Sequence, residues 1–172
     1  MNHPPGTILH FERFQFEGAA TATRPAEKNK FFIVLRELAG HLVLASLPTS
    51  KDQIPEAAEQ RHGCVDFPSG DFTAYVFEAR VPIATNGWGF SLRTYMYGYQ
   101  VREYSYATLE RNHGSGGREI SVKGRLHANE FVAMVQCLLR SIDLQRRFRR
   151  SLEDARYDAD TLHEPVAQYG GE

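Results

Sequence analysis

Apolar and polar residues alternate along most of the first two thirds of the chain, and a helical spacing replaces that alternation near the end. "GTILHFERFQF" sets Ile8 and His10 against Leu9 and Phe11 and continues through Phe14 and Phe16. That pattern predicts a strand, bent along its length, over residues 6–16. "KFFIVLREL" is a nearly continuous apolar run rich in β-formers, as expected of a central strand covered on both faces. "AGH" turns the chain and "LVLASLP" returns it, which makes a hairpin. In "FTAYVFEARV" the residues Phe72, Ala74 and Val76 face one way and Thr73, Tyr75 and Phe77 the other. "NGWG" reads as a turn, and "FSLRTYMYGYQVREYSY" as one long strand bent at Gly98. After the loop "RNHGSGG" comes a short strand in "REISVKG".

From Ala128 to Leu152, the residues Phe131, Val135, Leu138, Ile142, Phe148 and Leu152 fall near helical spacing. They predict one long helix with a cap at Asn129. The segment 18–27 is small and polar, and the tail 154–172 lacks periodicity; both are expected to be flexible. Strands first and a helix last imply a mostly β (α+β) fold. The expectation is a single domain over 1–153, a small barrel or curled sheet with the C-terminal helix packed on it.

Composition narrows the function classes. The 172 residues suffice for one domain with a substantial core. Twenty Lys plus Arg against 21 Asp plus Glu leave a net charge of −1, so a nucleic-acid surface has to come from local clustering of cations. Cys64 and Cys137 stand far apart in dissimilar contexts, and neither a disulfide framework nor a metal knuckle is expected. No apolar run approaches the ~20 residues of a membrane span, and the N-terminus does not read as a leader peptide. The expected setting is a reduced cytoplasm, without membrane contact. The seven histidines are scattered, with no metal-ligand spacing, and "NHGSGGRE" lacks the GK[ST] ending of a phosphate loop. No cofactor is expected.

Candidate chemistry gathers where the third strand runs out, in "ASLPTSKD". Thr49 closes that strand while Lys30 opens the second, and in an antiparallel hairpin those two ends are neighbours. Lys28, Ser50 and Lys51 would add cations and donors around them. The same residue types also suit a plain strand-ending turn. Arg102, between Val101 and Glu103, is either a site residue or the partner of a cross-strand carboxylate. His10 and Glu12 could approach the hairpin, or be ordinary surface side chains. The cluster Arg140, Arg146, Arg147, Arg149, Arg150 and Arg156 could meet phosphates, though with Asp143, Glu153 and Asp154 nearby it also reads as a solvated helix face. Tyr95, Tyr97, Tyr99, Tyr104 and Tyr106 alternate as strand residues do and could stack on bases.

Four blocks, in order, carry a family resemblance: "GTIL", "KNKFFIVL", "ASLPTSK" and "TYMYGYQVREY", the last with Gln100, Val101 and Arg102. They resemble the strands of the MazF/PemK (Kid) toxin endoribonucleases, and "KGRLHANEFVAMVQCLLRS" is similar to the step into that family's final helix. The resemblance implies an SH3-like β-barrel with a C-terminal α-helix. It implies metal-independent, sequence-selective cleavage of single-stranded RNA by a homodimer that an antitoxin protein neutralises. It assigns catalysis to Lys30, Thr49 and Arg102, and RNA binding to Lys28, Ser50 and Lys51. Lys30 followed by Phe31 replaces the family's arginine followed by proline, which keeps the charge and loses the bidentate fork. Segments 18–27, 64–88 and 104–118 read as insertions. The same barrel without catalysis, as a nucleic-acid- or protein-binding module, is the alternative.

Overall fold

The computed structural model describes residues 3–15, 27–47, 61–67, 72–113 and 120–161. The strands are β1 (Thr7–Gln15), β2 (Glu27–Leu38), β3 (His41–Ser46), β4 (Gly63–Phe67), β5 (Phe72–Phe77), β6 (Thr94–Tyr97), β7 (Val101–Ser105) and β8 (Ile120–Arg125). Among the described residues three α-helices join them: α1 (Tyr106–His113), α2 (Ala128–Arg140) and α3 (Arg146–Thr161). The fold is mostly β, and its strand pairs are antiparallel throughout. The barrel expected from the sequence is not what the described strands make. They form two sheets that close no barrel, one ordered β7-β3-β2-β1-β8 and a smaller one ordered β4-β5-β6.

The apolar run of β2 behaves as a central strand should, because it is flanked by β1 and β3 and covered on both faces. Ile33 and Leu35 enter the main core, and Phe32 and Val34 enter a second cluster on the other side of the sheet. The main core lies between the two sheets and the helices: Tyr75, Phe77 and Met96 from the small sheet meet Phe131, Val135, Leu138 and Phe148 from α2 and α3. The second cluster includes Leu109 of α1, with Tyr104 and Tyr106 packed against it. Phe72, Ala74 and Val76 share one face of β5 while Tyr75 and Phe77 share the other, as the alternation requires. The β2–β3 turn passes through Gly40 at φ 78°, a left-handed conformation that glycine adopts without cost.

The stretch expected to be one strand bent at Gly98 is two strands in different sheets. β6 pairs with β5, the chain makes a 3-10 turn over Gly98–Gln100, and β7 pairs with β3. The turn presses on the chain after α2. A Cβ on Gly98 would meet Ser141 Oγ at 2.7 Å and the Leu144 backbone nitrogen at 2.8 Å. That close approach accompanies the break in the expected long helix, which is two helices separated over 141–145. Arg149 donates from Nη1 to the Leu139 carbonyl (2.7 Å) and from Nη2 to the Ser141 carbonyl (3.1 Å), satisfying acceptors that the end of α2 leaves open. Ile142, assigned to an apolar helix face by its spacing, is 70% exposed in the break. The α2 cap position is His127, while Asn129 Oδ1 accepts from the Glu130 amide. The tail expected from 154 onward is helical as far as Thr161, with Ala155 fully buried.

Two elements went unforeseen. β4 lies inside a stretch that reads as a polar connection, and α1 occupies residues that read as strand end and loop. The cysteines are a further correction. Cys64 of β4 and Cys137 of α2 are joined by a disulfide with Cα atoms 5.5 Å apart, because the helix packs along that strand. The segment 18–26 lies outside the described residues.

Candidate functional site

Lys30, expected to open the second strand, is the fourth residue of β2, which begins at Glu27, and it pairs with Phe11 across the β1 ladder. Its Nζ donates to the carbonyl oxygen of Leu47 across 3.0 Å. Leu47 extends β3 by one more ladder bond, its amide donating to Phe31 O at 3.0 Å. Thr49, which the hairpin argument set next to Lys30, falls outside the described residues, while Lys30 of β2 is thus beside Leu47, just past the end of β3. Beside them opens a pocket of about 360 Å³, whose lining includes Asn29, Lys30, Phe31, Leu47, Trp88 and Phe90.

The far wall comes from the β5–β6 connection, which several backbone bonds make rigid. The Arg80 amide donates to Phe90 O (2.7 Å), and Ile83 and Ala84 both donate to Trp88 O (3.0 and 3.1 Å). Gly89 has no room for a side chain, since a Cβ there would lie 2.1 Å from Val81 O. The connection is pinned to the end of β8: Ala84 bridges Leu126, the Thr85 amide donates to Arg125 O at 2.8 Å, and the His127 amide to Ile83 O at 3.0 Å. So held, Trp88 and Phe90 sit 5.7 and 5.4 Å from the Phe31 ring, centroid to centroid, and 4.8 Å from each other. Ser91, Arg93 and Thr94 complete the rim, and Arg93 lies 3.8 Å from the Glu78 carboxylate.

The His10 ring lies 4.6 Å from the Phe31 ring, centroid to centroid, and is tilted to it by 39°. Its Nδ1 is buried and has no hydrogen-bond partner among the described residues. Burial is the main reason its pKa falls below the ordinary histidine value, with Lys123 pushing the same way and Glu12 opposing.

The expected site residues are distributed unevenly around this pocket. Lys30 is in its lining. Lys28 lies farther out on β2, opposite Phe14. Thr49, Ser50 and Lys51 lie outside the described residues. Arg102 pairs with Leu44, whereas Lys30 lies two residues beyond Phe32, the partner of Ser46. Strand spacings therefore separate the Lys30 and Arg102 Cα atoms by about 16 Å. Arg102 Nη1 donates to the carbonyls of Tyr99 and Val101, so its guanidinium braces the turn between β6 and β7. In the basic cluster, Arg140 pairs with Asp66 and Arg149 closes the end of α2.

The residues missed from the sequence are Trp88, Phe90 and Arg93. "NGWGF" signals only a turn; what aims its aromatics at Phe31 is the tie to residues 125–127, which no local pattern displays. Among the described residues no group of three His, Cys, Asp or Glu side chains could hold a metal ion, and no helix is long and apolar enough to cross a membrane. An aromatic wall with a lysine and an arginine at its edge suits a planar ring attached to an anionic backbone. No family model, curated protein or solved structure matches the chain.

Proposed function

We propose that this chain is an endoribonuclease of the MazF/PemK type, acting on single-stranded RNA without a metal ion, and the toxin of a toxin–antitoxin module. One observation carries the reading: the Lys30 ammonium is fixed on the Leu47 carbonyl at the edge of the aromatic pocket, two residues before Thr49 in the chain. In this reading a base stacks against Trp88 and Phe90, and its phosphate reaches the cations. Lys30 offsets the charge that builds on phosphorus when the neighbouring 2′-hydroxyl attacks, and Thr49 donates a hydroxyl to the same phosphate. Dimerisation, neutralisation by an antitoxin, and an SH3-like account of the sheets belong to the same proposal, with the ordered sequence blocks as their support.

The test is cleavage of a long single-stranded RNA in EDTA by the wild-type protein, Lys30→Ala and Thr49→Ala. Discrete fragments from the wild type that disappear with both variants are the expected result. Full activity in both variants overturns the assignment.

A second reading, an RNA-binding module without cleavage, is favoured by the described lining of the pocket, which contains no carboxylate and no imidazole to take the 2′-hydroxyl proton. Intact RNA, retarded in a gel by the wild-type protein and released by Lys30→Ala, is its expected result.

A further inference from the structure

The side chains of β4 that face α2 occupy alternate positions, and each makes a different kind of link to the helix. His62, just before the strand, has Nε2 3.0 Å from Oε1 of Glu130. Cys64 is bonded to Cys137. Asp66 is ion-paired with Arg140, whose Nη1 also lies 3.8 Å from Cys64 Sγ. The other face of β4, Val65 and Phe67, packs with Ala74, Val76 and Tyr97 of its own sheet. Among the described residues β4 stands at the edge of its sheet and pairs with β5 alone. The seam to α2 is therefore a row of polar and covalent links in place of a run of interlocking apolar side chains, and its central link is the one that electrons can cut.

We propose that the Cys64–Cys137 bond is a redox clasp, which holds β4 on α2 when oxidised and releases the strand when a dithiol reduces it. The proposal rests on the RNA-cleaving reading only for its setting: in the thiol-rich interior of a cell, protein disulfides are mostly transient and redox-sensing.

The chemistry follows from the unequal surroundings of the two sulfurs. Cys64 is half-buried and beside a guanidinium, whereas Cys137 is 2% exposed, within the main core. A thiolate of the reductant attacks Cys64 Sγ; a mixed disulfide forms, the protein S–S bond breaks, and the electron pair leaves on Cys137, which then takes a proton. The reductant's second thiol attacks the reductant sulfur of that mixed disulfide. It expels Cys64 as a thiolate beside Arg140 and departs as a cyclic disulfide. Two electrons pass from the dithiol to the protein, leaving two protein thiols. The first step places negative charge on a sulfur in apolar surroundings, so it requires the seam to open. The flanking pairs, His62–Glu130 and Asp66–Arg140, thereby govern how readily the bond is reached.

The experiment treats the full chain with dithiothreitol, counts thiols by alkylation and mass, and follows amide hydrogen exchange. Reduction is expected to lower protection of the β4 amides at least about tenfold and to make them exchange well before those of β2 and β3, as in local opening. Arg140→Gln is expected to speed reduction several-fold. The double variant Cys64→Ser, Cys137→Ser is expected to exchange like the reduced protein without any reductant. Equal β4 protection in the oxidised and reduced protein overturns the clasp and leaves a passive cross-link; so does a reduction rate indifferent to Arg140→Gln. The readout is amide exchange, so a failure here is distinct from a failure to cleave RNA.

Discussion

The Lys30 ammonium donates to the Leu47 carbonyl across 3.0 Å, so a charge near the start of β2 is anchored just past the end of β3. The bond crosses the open end of the hairpin, where the next two residues in the chain are Pro48 and Thr49. Lys30→Met retains the stem and deletes the charge. Its expected effect on single-stranded RNA is a tenfold or greater loss of affinity, and a slope of log K against log salt shallower by roughly one phosphate contact, ~0.7. The expected stability cost is only about 1 kcal/mol, because one partly exposed hydrogen bond is lost. Fluorescence anisotropy across a salt series, beside urea unfolding, reads both quantities. Unchanged affinity and slope would remove Lys30 from the RNA surface.

Gly98 is the point where the sheet switch presses on the break between α2 and α3. In Gly98→Ala the new methyl meets the Leu144 backbone nitrogen at 2.8 Å as well as Ser141 Oγ at 2.7 Å, and backbone cannot swing aside as a side chain can. A loss of about 2 kcal/mol is expected, in the range for overpacking. Thermal unfolding checks it. Gly40→Ala is the contrasting case, since nothing lies within 4 Å of a Cβ there and its cost comes only from the left-handed φ of 78°.

The imidazole of His10 contributes to the pH dependence of stability. Burial lowers its folded-state pKa below 6.5, so as pH falls through that value the unfolded chain takes up a proton that the folded protein still refuses. Stability therefore declines with falling pH until the lowered folded value is passed. His3 acts in the same direction, again chiefly through burial. His10→Phe, which keeps a ring against Phe31, is expected to flatten the melting temperature against pH between about pH 7.5 and 5. Equal slopes in the two proteins would contradict the burial of that ring.

Removing the disulfide is the largest single loss expected. The bond spans a sequence separation of 73. Chain entropy for a loop of that length corresponds to about 4 kcal/mol. The double variant Cys64→Ser, Cys137→Ser and the reduced wild type should unfold at nearly the same, lower denaturant concentration. A much smaller difference would mean that the reduced chain keeps the two segments together by other means.

Much of the large sheet was legible because β1, β2 and β3 carry their periods in residues adjacent along the chain. β5 was equally plain, since alternation fixes which of its side chains enter the main core. β4 escaped because "GCVDF" has only Val65 and Phe67 as apolar strand positions, set among Pro, Gly and Asp. α1 escaped because Tyr104 and Tyr106 prolong the alternation of β7 into a helix of eight residues. The end of α2 was hidden for another reason: Ile142 and Phe148 continue its spacing, while the features at the break, Gly98 and the Arg149 bonds, are tertiary. The site divides in the same way. Lys30 was singled out from the hairpin, in a pairing with Thr49 that lies outside the described residues, whereas Trp88 and Phe90 depend on ties between the β5–β6 connection and residues 125–127. The cysteine pair depends on a helix lying along a strand that had not been recognised.

The strand order also sets a timetable for synthesis. β1 sits between β2 and β8, with Thr7 opposite Arg125 at one end of the second ladder. On the ribosome β1, β2 and β3 can pair as soon as they emerge. The outer edge of β3 then waits for residues 101–105 and that of β1 for residues 120–125. Through most of translation the nascent chain therefore carries a meander with two bare edges, the arrangement that invites pairing with other chains. Any chaperone or assembly partner that recognises an exposed strand edge has its longest window here, before β8 is made, and the finished fold withdraws the β1 edge from it.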